Sequence, residues 1–210
     1  MLGTVTHLYR YPVKALRAER LTSADVRADG IAGDRGSALF VTSPGHARSG
    51  KTYRGKEQRL LHTVSAVADA ADIALGAGII VEAEDAAPHY FDAEPVSIVF
   101  DVWIRDLEAL AGRSVDALRF RPNIVADAAA DFHWTEQALV GTRLQIGEVA
   151  LDVVSPITRC VTPSYDVTTA EPEPALQRTI VTQRGNIMGI YCRVAVPGTL
   201  VEGAPIYRSA

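Results

Sequence analysis

MGIYCRVAV, residues 188–196, places Ile190, Cys192, Val194 and Val196 on one face and Tyr191 and Arg193 on the other. A period of two with one apolar face is the pleat of a strand half-buried in a core. Working outward, similar short runs occur at Thr4–Tyr9, Leu21–Val26, Ser37–Val41, Ile79–Ala83, Val96–Phe100, Leu118–Phe120 and Val149–Val154, separated by Gly, Pro and Asp. Two segments carry a helical period instead. In Asp101–Leu110 the apolar stripe is Trp103, Ile104, Leu107 and Leu110, with Asp101 placed to cap and Gly112 past the end. In Glu173–Gln183 it is Leu176, Ile180 and Val181, with Pro172 and Pro174 near the start. The Ala-rich stretch Thr63–Leu75 fits either state. Many short strands and few helices predict a mainly β (α+β) chain built on a barrel rather than a parallel α/β sheet. Thr42–Lys56 reads as an exposed excursion, and Asp85–Pro95 as the boundary between a β-rich region over 1–90 and a barrel over 91–210.

At 210 residues and 48% hydrophobic, the chain can bury a full core without disulfides or a structural metal. Its formal charge of -4 argues against a broad nucleic-acid surface. The opening MLGTVTHLYRYPVKAL has no long apolar segment of the secretory type, and no run of about 18 apolar residues reads as a membrane span. Two cysteines fit a reducing compartment, so a cytoplasmic location is expected. Gly30-Ile-Ala-Gly33 has the wrong spacing for a dinucleotide loop, and the five histidines show no zinc spacing.

The two cysteines differ in context. Cys192 belongs to the apolar face of its strand and reads as a small core residue. Cys160, in SPITRCVTPSYD, follows a strand and lies between two prolines, with Arg159 beside it and Thr158 and Thr162 flanking. A cation next to an accessible thiol favours the thiolate, which attacks electrophiles and binds soft metals. The residues alone leave open whether Cys160 is reactive or an ordinary loop cysteine. In LRFRPN, Arg119 and Arg121 are expected on one side of a strand with Phe120 in the core, and Pro122 should free Asn123 to hydrogen-bond outward. Paired guanidinium forks suit a phosphate or carboxylate. Lys14 and Arg35 stand in turns, where a charge is ordinarily just solvated.

Taken in order, the fragments YPVKAL, GIAGDR, RFRPN, TRC and MGIYCRVAVPGTLVEGAPI resemble the MOSC family. The resemblance is best over 96–208 and thinner over 1–40. It implies a β-barrel core preceded by a smaller β-rich region and, in the amidoxime-reducing branch, a molybdenum–molybdopterin cofactor. Cys160 then resembles the family's metal-ligating or sulfur-accepting cysteine. Lys14, Arg35, Arg121, Asn123, Thr158, Arg159 and Tyr191 match positions around the cofactor. The function implied is reduction of N-hydroxylated or N-oxide small molecules with a partner reductase. The alternatives are a persulfide carrier, using Cys160 without a pterin and supplied by a cysteine desulfurase, and a non-catalytic binding module. Where the family has small polar residues this chain has Ala15, Asp101 and Trp103, and Pro163 follows the cysteine; Asp101 and Trp103 are expected to narrow or repel part of a phosphate site.

Overall fold

The computed structural model describes residues 1–85 and 89–209. The N-terminal half begins with β1 (Gly3–Arg10), β2 (Glu19–Leu21), β3 (Ser23–Arg27), β4 (Gly30–Ile31) and β5 (Ser37–Val41). Helix α1 (Val67–Gly76) and strand β6 (Val81–Asp85) follow. Then come β7 (Val96–Phe100), α2 (Asp101–Ala111), β8 (Ile124–Ala128), α3 (Glu136–Leu139) and β9 (Arg143–Ile146). The chain ends with β10 (Val149–Thr158), α4 (Pro174–Gln183), β11 (Ile187–Val196), β12 (Gly198–Val201) and β13 (Pro205–Ser209).

Seven strands in the order β13-β9-β10-β11-β7-β8-β1 form a barrel, which β1 closes by pairing back onto β13. Every neighbour is antiparallel except β7 and β8, which run parallel. A parallel pair needs a crossover, and α2 begins directly after Phe100 to supply it. All five residues of β7 are buried, as expected of a strand covered on both faces. Closure bends the long β10–β11 ribbon at three register shifts, one of them beside Pro156, which has no N–H to give the ladder.

Two hydrophobic cores result. The larger fills the barrel and takes in Val26, Ile31 and Leu200 from the small β12-β3-β4 sheet. The smaller, around Leu16, Leu39, Tyr53, Leu61, Ala70 and Ala74, lies wholly in the N-terminal stretch. Ala70 and Ala74 settle the ambiguous Ala-rich segment as a helix, because their small side chains let α1 lie close on this core.

Several expectations need correcting. Leu118–Phe120 is a 3-10 turn spanning Ala117–Phe120, not a strand, because the Asp116 side chain accepts from the Leu118 N–H at 2.8 Å and winds the backbone. Leu21–Val26 is split into two strands, and the strand expected at Ile79–Ala83 starts two residues later, at Val81. Leu110 and Val181 are 49% and 47% exposed, so each helix buries a narrower stripe than its sequence suggests. Of the expected boundary at 85–95, residues 86–88 lie outside the described residues.

Barrel closure leaves no room at Gly3. A Cβ there would stand 2.0 Å from the Asp127 carbonyl oxygen, which is backbone and cannot move aside. Gly3→Ala is expected to lower stability by about 1–3 kcal/mol, the cost of overpacking, as measured by urea unfolding.

Candidate functional site

A cleft of about 310 Å3 opens where β10 ends, lined by Thr158 and Arg159 from that end, Tyr191 of β11 and the turns carrying Lys14, Arg35 and Arg121. Arg54 and Lys56 add to it, so the wall holds seven cations, Arg119 included, against one carboxylate, Asp92. In a chain of net charge -4 this is a strong local excess.

The cations are fixed by a network around Tyr11. The Arg35 and Arg121 guanidinium groups both lie over its ring, 4.7 and 4.2 Å from the centroid. The Tyr11 hydroxyl donates to the Pro122 carbonyl at 3.2 Å, and its N–H donates to the fully buried Asp34 carboxylate at 2.7 Å. Asp34 also pairs with Arg35, which donates to the Arg121 carbonyl at 3.3 Å. Arg35 and Arg121 have left-handed backbones, at φ 49° and 51°, which aims both side chains at a local conformational cost.

Arg121 and Arg159 differ from the other arginines in what they meet. Arg121 donates to the Leu16 carbonyl at 2.8 Å, and Arg159 to the carbonyls of Met188, at 2.8 Å, and Phe120, at 2.9 Å. Burial pushes each guanidinium down to about 10, so both stay charged at neutral pH. Among the described residues neither has a carboxylate within salt-bridge distance. A half-buried charge with no directly paired carboxylate is one that an anionic ligand would offset.

Cys160 stands exposed just past β10, and its thiol donates to the Thr162 hydroxyl at 3.2 Å. Arg119 braces the loop that follows: it is 3% exposed and donates to the Pro163 carbonyl at 3.3 Å, Asp166 at 3.0 Å and Glu173 at 2.9 Å. His62 is held neutral, since burial and then the Arg121 charge push it down to about 3. Arg121 faces its Nδ1 at 3.3 Å; a guanidinium only donates, so the ring proton sits on Nε2. Gly55 makes this packing possible, because a Cβ there would lie 2.1 Å from the imidazole.

A family model described as the MOSC domain matches residues 85–207, and another, the MOSC N-terminal beta barrel domain, matches residues 2–111. The chain belongs to the MOSC family. It is 30% identical over 134 residues to mitochondrial amidoxime-reducing component 1 of Mus musculus, covering 56% of this chain and 37% of that one. Against the Homo sapiens protein of the same name the figures are 29% over 134 residues, 56% and 38%. The match thus spans little more than a third of these curated relatives. The crystal structure of the YUAD protein from Bacillus subtilis superposes with a TM-score of 0.60 at 18% identity, covering 98% of this chain and 94% of that one, which shows a shared fold.

Within this MOSC chain, Lys14, Arg35, Arg121, Thr158, Arg159, Cys160 and Tyr191 all line one cleft. Asn123 does not. It is 1% exposed and faces inward, its amide accepting from the Ser97 N–H at 3.1 Å and donating to the Tyr9 carbonyl at 3.3 Å. The outward hydrogen bond expected of it is therefore wrong: Pro122 turns the chain into β8, and the amide ties β1 to β7. Nor do Arg119 and Arg121 project side by side from a strand face, because the 3-10 turn between them sends one guanidinium to Asp166 and Glu173 and the other over Tyr11. Asp101 and Trp103 lie off the cleft: Asp101 pairs with Arg105 and accepts from the Ala128 N–H, and Trp103 packs on Phe100 and Phe132. Sequence reading missed Arg54, Lys56, His62 and Asp92. The basic-glycine-basic triplet Arg54-Gly55-Lys56, inside the presumed excursion, was the available signal.

The cysteines should differ sharply in reactivity: limiting iodoacetamide on native protein is expected to label Cys160 and spare Cys192, which is fully buried and whose thiol burial pushes up. Peptide mapping that finds Cys192 labelled first would contradict this. His62 supplies a pH test. Its folded pKa of about 3 lies below its ordinary 6.5, so between those values the unfolded chain binds the extra proton. Wild-type stability should fall relative to His62→Gln as pH drops from 6.5 towards 3, and parallel urea-unfolding curves would refute the assignment.

Proposed function

We propose that this MOSC protein binds molybdenum–molybdopterin in the cationic cleft and reduces N-hydroxylated or N-oxide small molecules. The observation that carries the reading is the pair of half-buried guanidinium groups, Arg121 and Arg159, which have no carboxylate within salt-bridge distance among the described residues and stand in the cleft that Cys160 lines. The residues fit such a group. Arg121 Nη2 is a buried donor that meets no acceptor among the described residues, as expected where an anionic ligand completes the hydrogen bonding. Lys14, Arg35 and Arg121 would hold the phosphate, Thr158, Arg159 and Tyr191 would flank the pterin, and the Cys160 thiolate would be the protein's ligand to the metal. When bound, the molybdenum centre supplies two-electron redox chemistry at an N–O bond.

The chain's own part is to fix charge and exclude water. Tyr11 and Asp34 hold two arginines in place before any ligand arrives, so little ordering is left for binding. Asp92, paired with Lys14 at 2.6 Å, must give way or accept a donor from the ligand. With two cysteines the chain cannot ligate an iron–sulfur cluster of the four-cysteine type, so electrons would come from a partner reductase. No helix among the described residues is long and apolar enough to cross a membrane. The reading places the protein in the cytoplasm.

A second reading follows from the exposure of Cys160: a thiol within reach of a protein donor suits a persulfide carrier loaded by a cysteine desulfurase, with no pterin bound.

Protein made in a host that synthesises the pterin should carry molybdenum in elemental analysis, and Cys160→Ser should lose it while unfolding cooperatively. Arg121→Met should weaken cofactor retention about 10- to 100-fold, the worth of a charged hydrogen bond. Full metal content and full activity in Cys160→Ser would overturn the reading. Metal-free wild-type protein that acquires a labelled persulfide at Cys160 would replace it with the second.

A further inference from the structure

A smaller cavity of about 50 Å3 adjoins the cleft and shares His62, Arg119, Arg121 and Thr162 with it. Its own walls are Tyr11, Arg17, Ala18, Leu118, Tyr165 and Val167. None of these six lines the larger cleft, and Lys14, Arg159 and Cys160 do not line the smaller one.

Three features describe what the cavity takes. The first is its donors. Arg119 is 3% exposed and has committed Nη1 to Pro163 and Nη2 to Asp166 and Glu173, yet its Nε meets no acceptor among the described residues. Arg121 Nη2 is likewise unmet. Leaving such donors dry costs more than satisfying them returns, so a built cavity beside them points to an acceptor. The second is charge. Two carboxylates already offset Arg119, whereas Arg121 has no such partner among the described residues. Arg17, exposed, also meets no carboxylate among the described residues. The wall therefore calls for a single negative charge. The third is the remainder of the surface, which is aromatic or aliphatic: Tyr11, Tyr165, Leu118 and Val167, with the Tyr165 ring 6.3 Å from that of His62. A few placed donors in an apolar pocket are the usual make-up of a small-molecule site.

We infer that this cavity is a binding site for a small monocarboxylate. Its oxygens would accept one N–H from Arg119 Nε and one from Arg121 Nη2, and its short hydrocarbon end would rest on Leu118 and Val167. The space suits a carboxylate with a short hydrocarbon end. Thr162, whose hydroxyl accepts from the Cys160 thiol, belongs to both walls, so occupancy bears directly on the residue that touches Cys160. The site shares Arg121 with the proposed cofactor cleft and differs from it in Arg17, Ala18, Leu118, Tyr165 and Val167, which line the smaller cavity alone.

The test is a titration of the full-length protein with acetate and with propionate, with chloride at matched ionic strength as control, followed by NMR of the arginine side-chain N–H signals. A saturable shift is expected at Arg119 Nε, the signal being the one lost in Arg119→Lys. Filling the cavity from either of two elements, in Val167→Phe or Ala18→Leu, should weaken acetate binding about ten-fold or more. Lys14→Met, which alters only the larger cleft, should leave acetate binding unchanged while weakening that of inorganic phosphate. Failure to saturate, an equal response to chloride, unchanged affinity in both filling variants, or loss of the shift in Lys14→Met would each overturn the inference. Loss of phosphate binding alone would bear only on the larger cleft.

Discussion

The buried ring of Tyr11, with two guanidinium groups over it and the Asp34 carboxylate on its backbone N–H, is the constraint from which the cationic cleft follows. A carboxylate with no exposure is tolerable only when fully hydrogen-bonded, and Asp34 meets that condition through Tyr11 and Arg35. Cation–π contacts of this kind contribute about 0.5–2 kcal/mol each when desolvated, enough to offset part of the strain of two left-handed arginines. The network also joins distant stretches of chain. It links the turn after β1, the turn after β4 and the turn before β8, so the N-terminal region and the barrel present their charges to one space.

Residue type alone does not assign roles among the arginines; partner and burial do. Arg35 is neutralised by Asp34, and Arg119 by Asp166 and Glu173, so neither brings a surplus charge to the cleft. Arg121 and Arg159 spend their donors on carbonyls, which satisfies hydrogen bonding but leaves the charge uncancelled. The same contrast separates the thiols. Cys192, on the inward face of β11, resists ionising because no water reaches it to solvate a thiolate, whereas Cys160 stands past the end of β10, exposed.

Much was legible locally. Alternation in Met188–Val196 fixed a strand, because a pleat with one face in a core imposes a period of two on the residues themselves, and the short apolar runs Val96–Phe100 and Val149–Val154 marked others. The helical stripe of α2 and the inward place of Cys192 were legible for the same reason. The motifs around Lys14, Arg35, Arg121 and Cys160 could be picked out as cationic or nucleophilic, and their resemblance to MOSC fragments pointed to the right family.

What the sequence could not decide is where side chains at turns would point. Leu118–Phe120 has a strand's composition, yet one hydrogen bond from Asp116 winds it into a 3-10 turn and separates Arg119 from Arg121. Asn123 looks like a free loop amide and turns out to brace two barrel strands, because the parallel pairing of β7 with β8 brings Ser97 beside it. Arg54, Lys56 and His62 join the cleft through an approach that depends on the space Gly55 leaves, a contact between surfaces rather than a property of any segment. Periodicity and composition, being local, determined the strands, the barrel class and the chemistry on offer. Convergence of the charges, and which of them remain uncancelled, was decided by barrel closure, since only packing at long range sets burial and with it the electrostatic cost that makes an anion welcome.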